Sequence, residues 1–181
     1  MSIPARQPSS PEPTAPVPLD PKRFRRALGR FATGVTVVTA AQGEGVHGMT
    51  ANAFMSVSLD PPLVAIAVDR RARMHALLDQ QDRYGISVLA RDQEAAARHF
   101  AGKPQPGYAP TFQWVEGIPL LDGAVAHLAC DVWARVPAGD HTLFIGHVRW
   151  LNYWDREPLI FFGGDFRCLE VQFHDTSMWW W

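Results

Sequence analysis

Hydrophobic and polar positions repeat along this chain with two different periods, and the change falls at Gly34. Before it, Phe24, Ala27, Leu28 and Phe31 recur at helical spacing, while Lys22, Arg23, Arg25, Arg26 and Arg30 mostly face outward. Asp20 is placed to cap that helix, with Pro21 at its first position, where the missing N–H costs nothing. After Gly34 the runs become short and β-branched. Val35–Ala40 and Val46–Phe54, joined through Gly43-Glu44-Gly45, predict a hairpin. Leu63–Val68 is a third strand entered through Pro61-Pro62, which suits a strand start or an edge. Ala72–Leu78 reads as helix and Tyr84–Ala90 as strand. Asp92–Phe100 reads as helix again, with Ala95, Ala96 and Ala97 favouring it and Asp92 as its cap. Residues 101–119 carry Gly, Pro and Tyr and predict a long surface loop. Ala124–Val136, His141–Leu151 and Leu159–Phe162 are three further strands. Strands outnumber helices and the two do not alternate, which favours an antiparallel barrel with a few packed helices over a doubly wound parallel sheet.

Composition narrows the function classes. The chain has 181 residues, 47% hydrophobic and 19% charged, enough for one domain with a real core. A net charge of −1 and a pI near 6.6 supply no global field for nucleic acid or an anionic membrane. The basic cluster near residue 25 therefore reads as a solvated helix face. No apolar run is long enough to cross a bilayer, and the N-terminus has no apolar signal core, which points to a cytoplasmic protein. Cys130 and Cys168 read as free thiols in a reducing compartment. Residues 1–19, rich in Pro, Ser and Ala, cannot bury enough surface to offset ordering entropy and read as a disordered tail. The folded domain is expected over residues 20–174, followed by a Trp-rich end over residues 175–181 that includes Trp179, Trp180 and Trp181. His127 and His147 lie within strands and read as structural, and no Cys/His spacing matches a metal site.

Gly43-Glu44-Gly45-Val46-His47-Gly48 matches the GxGxxG dinucleotide fingerprint in letters only. That fingerprint needs a helix starting within it, and here Val46 onward reads as strand, so the glycines serve a turn. The segment Gly48–Val64 is more informative. Thr50, Asn52, Ser56 and Ser58 share one parity and, in an unbroken strand, line one face. Small hydroxyl and amide groups beside open backbone suit a flat heteroaromatic ligand with many acceptors.

Three stretches carry a resemblance: Phe31-Ala32-Thr33-Gly34-Val35-Thr36-Val37-Val38-Thr39, Gly48-Met49-Thr50-Ala51-Asn52-Ala53-Phe54 and Ser56-Val57-Ser58-Leu59-Asp60-Pro61-Pro62-Leu63. Tyr84–Ala90, His99–Gly102 and Gly139–Val148 extend it, so that it runs from about Phe24 to about Phe166. In these residues the chain resembles the flavin reductase-like family, whose members have an FMN-binding split β-barrel fold and supply reduced flavin to two-component monooxygenases. The resemblance implies an NAD(P)H:flavin oxidoreductase that takes FMN or FAD and NADH or NADPH, and a homodimer. It implies that Thr50, Ala51 and Asn52 run beside the isoalloxazine, that Ser56, Val57 and Ser58 continue the wall toward the ribityl chain, and that Thr33, Gly34 and Val35 approach from a neighbouring strand. By the same resemblance Asp69, Arg70, Arg71 and Arg73, at a strand-to-helix junction, meet the flavin phosphate; without it those arginines read as a solvated turn. Phe100 and Ala101 resemble residues flanking the adenine of FAD. His141, in Gly139-Asp140-His141, lies by the resemblance at the nicotinamide face of the flavin, in a positioning role. Two other readings stand beside this one: a flavin-binding split barrel without turnover, and a pyridoxamine phosphate oxidase-like enzyme.

Overall fold

The computed structural model describes residues 18–169. The element order is α1 (Pro21–Leu28), β1 (Thr33–Gly34), β2 (Thr36–Gln42), β3 (Gly45–Ala51), β4 (Phe54–Leu59), β5 (Pro62–Asp69), α2 (Arg73–Gln80), β6 (Arg83–Val88), α3 (Glu94–Phe100), β7 (Phe112–Val115), β8 (Ile118–Leu121), β9 (Ala126–Ala138), β10 (His141–Tyr153), β11 (Ile160–Phe162) and β12 (Asp165–Arg167). The residues expected to form the 1–19 tail and the Trp-rich end lie almost wholly outside the described residues.

Seven strands form one antiparallel sheet in the order β3-β2-β6-β9-β10-β5-β4. Its two edge strands, β3 and β4, are consecutive in the chain and separated only by Asn52 and Ala53. The step from Ala51 to Phe54 spans at most ~11 Å. The sheet must therefore curl until its edges approach there, and the Ala53 carbonyl accepts a bond from the Ala67 N–H of β5 at 3.1 Å as the chain crosses to β4. The result is a barrel left open along one seam, the split barrel expected.

The β-branched runs explain why the sheet closes. On β2, Val38 and Ala40 face the interior with Ile66, Val68, Tyr84, Ile86 and Phe144, and α2 plugs that core with Met74 and Leu78. Val35 and Val37 face the other way and are covered by Leu89, by Ala96 and Ala97 of α3, and by Leu121. A strand buried on both faces loses its polar alternation, which is the pattern read over Val35–Ala40. Gly48 on β3 is required by a close approach: a Cβ there would lie 2.5 Å from the Phe100 ring.

Several expectations are corrected. The loop expected over residues 101–119 contains most of a hairpin, β7–β8, turned by Glu116 and Gly117 at φ 50° and 81°. Its second strand is core, with Ile118, Leu120 and Leu121 buried, because the Thr39 hydroxyl and the Ser87 hydroxyl tie its backbone to the barrel. Asp92 does not cap α3; its carboxylate binds Arg156 at 2.9 Å, and Gln93 occupies the cap position. The α1 apolar stripe faces no core: α1 has no buried residue, and Phe31 just beyond it is 78% exposed. The helix start itself is as expected, with Asp20 accepting from the Lys22 N–H at 3.0 Å.

Candidate active site

Antiparallel register pairs point to the same face of a sheet. On the outer face of β5 and β10, Ala67 stands opposite Leu143, and two residues further along Asp69 stands opposite His141. The small side chains of Ala65 and Ala67 leave a hollow there. The end of α1, with Leu28 and Phe31, roofs it, and Asn52 and Ala53 at the seam form its side. The cavity is about 440 Å³ and predominantly apolar. A second hollow of about 360 Å³ adjoins it, lined by Gly34 and Thr36 and sharing Phe31, Thr33, Asn52 and Phe54. The two form one trough past Thr33, within the ~300–1,000 Å³ typical of small-ligand sites.

Thr33 carries the sharpest polar signal. Its hydroxyl is buried and has no hydrogen-bond partner among the described residues. An unpaired buried hydroxyl costs ~1–3 kcal/mol, so such groups in a cavity wall mark a ligand's place. A flat ring bearing acceptors fits this wall: alanines below, aromatic and aliphatic groups above, and one unused hydroxyl beside it.

Of the residues singled out from the sequence, the trough gathers Thr33, Gly34 and Asn52; the others lie elsewhere. The Thr50 hydroxyl donates to the Ala97 carbonyl at 2.7 Å and fastens α3 to the barrel. Ala51 packs on the interior core and Val35 on the outer one. The single-face expectation for Thr50, Asn52, Ser56 and Ser58 fails for two physical reasons. The strand breaks at Asn52–Ala53, and Val57 is a bulge between the pairs Ser56–Val64 and Ser58–Leu63, which resets the parity. Ser56, Val57 and Ser58 run along the outer edge of the sheet and do not line the trough. Phe100 packs over Gly48 and near Phe112, and Ala101 caps α3; neither lines the trough.

The β5–α2 junction lies two residues beyond the Ala67–Leu143 pair, and Asp69, Arg70, Arg71, Arg73 and His141 do not line the trough. Asp69 accepts from the Arg71 backbone at 2.8 Å and from its guanidinium at 2.7 and 3.1 Å. Those bonds hold the Asp69 carboxyl well below the usual carboxylate range, so Arg71 is neutralised in place. Arg73 instead meets a neutral partner, donating to the Gln42 side chain at 2.7 Å. Partial burial and the field of Arg73 together lower the pKa of His47. The Arg70 N–H bonds the Asp140 carbonyl at 3.0 Å, joining this turn to the β9–β10 hairpin. His141 opens β10 on the same face as Leu143. Its Nδ1 lies 2.7 Å from an Asp140 carboxylate oxygen, which leaves Nε2 as the nitrogen to meet a ligand. That bond also lowers the Asp140 pKa.

Sequence reasoning missed Leu28, Phe31, Phe54, Ala65, Ala67 and Leu143 as trough walls. The spacing of Ala65 and Ala67 inside a run of larger residues was the available signal. His127, as expected, is structural: Gln113 and the Leu121 carbonyl take its two nitrogens at 2.6 and 2.7 Å. Among the described residues no cluster of His, Cys, Asp and Glu is arranged to hold a metal, and both cysteines are free.

Comparison with known proteins agrees with this architecture. Residues 28–170 match the family described as flavin reductase like domain. An NADH-dependent flavin reductase of Rhodococcus sp is 54% identical over 154 residues, 83% of this chain and 88% of that protein. The reductase component of 4-hydroxyphenylacetate 3-monooxygenase from Thermus thermophilus is 44% identical over 147 residues, 81% of this chain and 95% of the relative. The Streptomyces globisporus NADH:FAD oxidoreductase SgcE6, solved in complex with NAD and FAD fragments, superimposes with a TM-score of 0.78 at 43% identity, covering 88% of this chain and 100% of that one. With matching sequence, matching fold and a trough suited to a flat ring, the chain belongs to the flavin reductase-like family.

Proposed function

We propose that this chain is an NADH-dependent flavin reductase: the trough beside the barrel seam holds the ring of FMN or FAD, and the reduced flavin leaves for a separate monooxygenase. The observation that carries the reading is the trough itself, with its alanine floor and unpartnered Thr33 hydroxyl. The names of the relatives support NADH as donor and an oxygenase as recipient. A bound flavin supplies the redox chemistry, accepting a hydride from the nicotinamide and a proton from solvent.

The residues of the chain bind and orient. Thr33 donates to a ring acceptor, Asn52 and the open backbone beside it meet the polar edge, and Ala65 and Ala67 admit the flat face. Arg70 and Arg73 attract the flavin phosphate, while Asp69 fixes Arg71 and with it the turn. His141, held through Nδ1 by Asp140, presents Nε2 to the nicotinamide carboxamide. Holding two reactants face to face is the main protein contribution to such a transfer.

The same reading makes the protein a cytoplasmic homodimer. Phe31, Met55, Val57 and Leu59 are exposed by 78%, 55%, 46% and 84% beside the trough mouth, and a second copy across a two-fold axis covers them. Sedimentation velocity checks the dimer. The activity is tested by NADH oxidation in air with added FMN, FAD or riboflavin. Stimulation by flavin is expected, and its absence with all three refutes the reading.

A further inference from the structure

One motif of the sequence has no place in the proposed function: Trp179, Trp180 and Trp181. The family match stops at residue 170, so these residues lie past the shared domain, and residues 170–181 lie outside the described residues. Each indole carries roughly 150–250 Å² of surface. Three together equal or exceed the ~300–600 Å² apolar patch that a monomer ordinarily exposes. They need a surface to cover them.

The place where the described chain stops narrows the choice. β12 pairs with β11 and β11 with β1, which sets Arg167 opposite Ile160 and Ile160 opposite Gly34. Two strand spacings put Arg167 about 10 Å from Gly34. Gly34, with Thr33 and Val88, lines the smaller part of the trough. Trp179 follows Arg167 by about a dozen residues, a stretch that spans at most ~40 Å. The recess at Cys168 is nearer but does not suit an indole. Apart from Ala90 its other walls are Arg91, Asp92, Arg156 and Glu157, already joined as the ion pairs Arg91–Glu157 and Arg156–Asp92. The trough does suit one. Leu28, Phe31, Phe54, Ala65 and Ala67 give it apolar walls, and the buried Thr33 hydroxyl has no partner among the described residues. An indole is a flat ring with apolar faces and a single N–H, which that hydroxyl can accept.

We infer that the indoles of Trp179–Trp181 occupy the trough of their own chain when flavin does not, which makes this segment a tethered competitor of the flavin ring. The inference rests on the proposed function for the identity of the ligand displaced. A tether of this length holds the rings at a local concentration on the order of 1 mM. A contact with a Kd of about 0.1 mM is then made about nine-tenths of the time and weakens flavin binding about tenfold. After reduced flavin departs, the returning rings keep it from rebinding.

The test is the triple variant Trp179→Ser/Trp180→Ser/Trp181→Ser, with Trp114→Ser, an exposed indole outside the trough, as control. Calorimetry gives the Kd for FMN and for FAD. The triple variant should bind both about tenfold more tightly than wild type, and the control within twofold of it. Constants for the triple variant within twofold of wild type, or weaker, overturn the inference. So does a gain that appears only as the protein is concentrated, since that puts the rings of a second copy in the trough. Deuterium uptake without any flavin separates this inference from the function on which it rests. Faster exchange over residues 31–36 and 52–54 in the triple variant upholds the contact even in a protein that reduces no flavin, and equal exchange overturns it.

Discussion

Replacing Thr33 by valine should move stability and flavin affinity in opposite directions. The substitution keeps the branched shape and removes the one hydroxyl in the trough wall that is buried without a partner among the described residues. In the ligand-free protein that hydroxyl is a cost of ~1–3 kcal/mol, because its bonds to water are lost and nothing replaces them. The Thr33→Val variant recovers part of that cost and should melt higher. At ~1 kcal/mol in a chain of this size the rise is about 2–4 °C. With flavin bound, the same hydroxyl makes a bond worth ~0.5–1.5 kcal/mol, so its removal weakens binding by about twofold to tenfold. Differential scanning fluorimetry without flavin and fluorescence titration with FMN and FAD read the two effects separately. A variant that melts lower and binds flavin as tightly as wild type would refute the reasoning, since the hydroxyl would then be serving the fold.

Four further outcomes follow from the geometry. His141→Ala should raise the KM for NADH or slow anaerobic flavin reduction in stopped flow while flavin still binds; changes under twofold in both steps would remove its assigned role. Thr50→Val deletes the bond to the Ala97 carbonyl and should lower stability by ~1 kcal/mol, seen as a lower urea midpoint. Burial lowers the His127 pKa from 6.5. The unfolded chain therefore takes up a proton there before the folded one does, and stability should fall as pH drops from about 6.5 through the lowered folded value, a loss that His127→Gln diminishes. Burial also pushes the Cys130 thiol up to about 12 while Cys168 is exposed. A disulfide reagent at neutral pH should titrate one thiol per native chain and two after denaturation.

Much of the barrel was legible because each of its strands obeys a local rule. The α1 start follows from Asp20 and Pro21, the β2–β3 turn from Gly43 at φ 57°, and β5 begins at Pro62 as an interior strand, not an edge. The β7–β8 hairpin was not legible. Its turn uses a non-glycine residue at positive φ, and Pro119 within β8 argues against a strand until the Thr39 and Ser87 hydroxyls are seen holding it. The trough was legible in kind and not in detail. Of the small polar residues around Thr50–Ser58 only Asn52 borders the trough, because alternation carries face assignments only along an unbroken strand, and here a two-residue crossing and a bulge intervene. Which side chain meets the ligand is decided by that interruption and by β5 and β10, whose residues Ala65 and Ile145 are far apart in the chain yet paired in register.

The two-residue crossing at Asn52–Ala53 has a mechanical consequence. A closed cylinder of strands resists deformation evenly, whereas one slit lengthwise is stiff everywhere except across the slit. On the proposed function a rigid tricyclic plate lodges at the end of that slit, against Asn52–Met55, and acts there as a rivet. Cofactor loading should therefore slow amide deuterium uptake along β3 and β4 far more than in the fully laced strands β6 and β9.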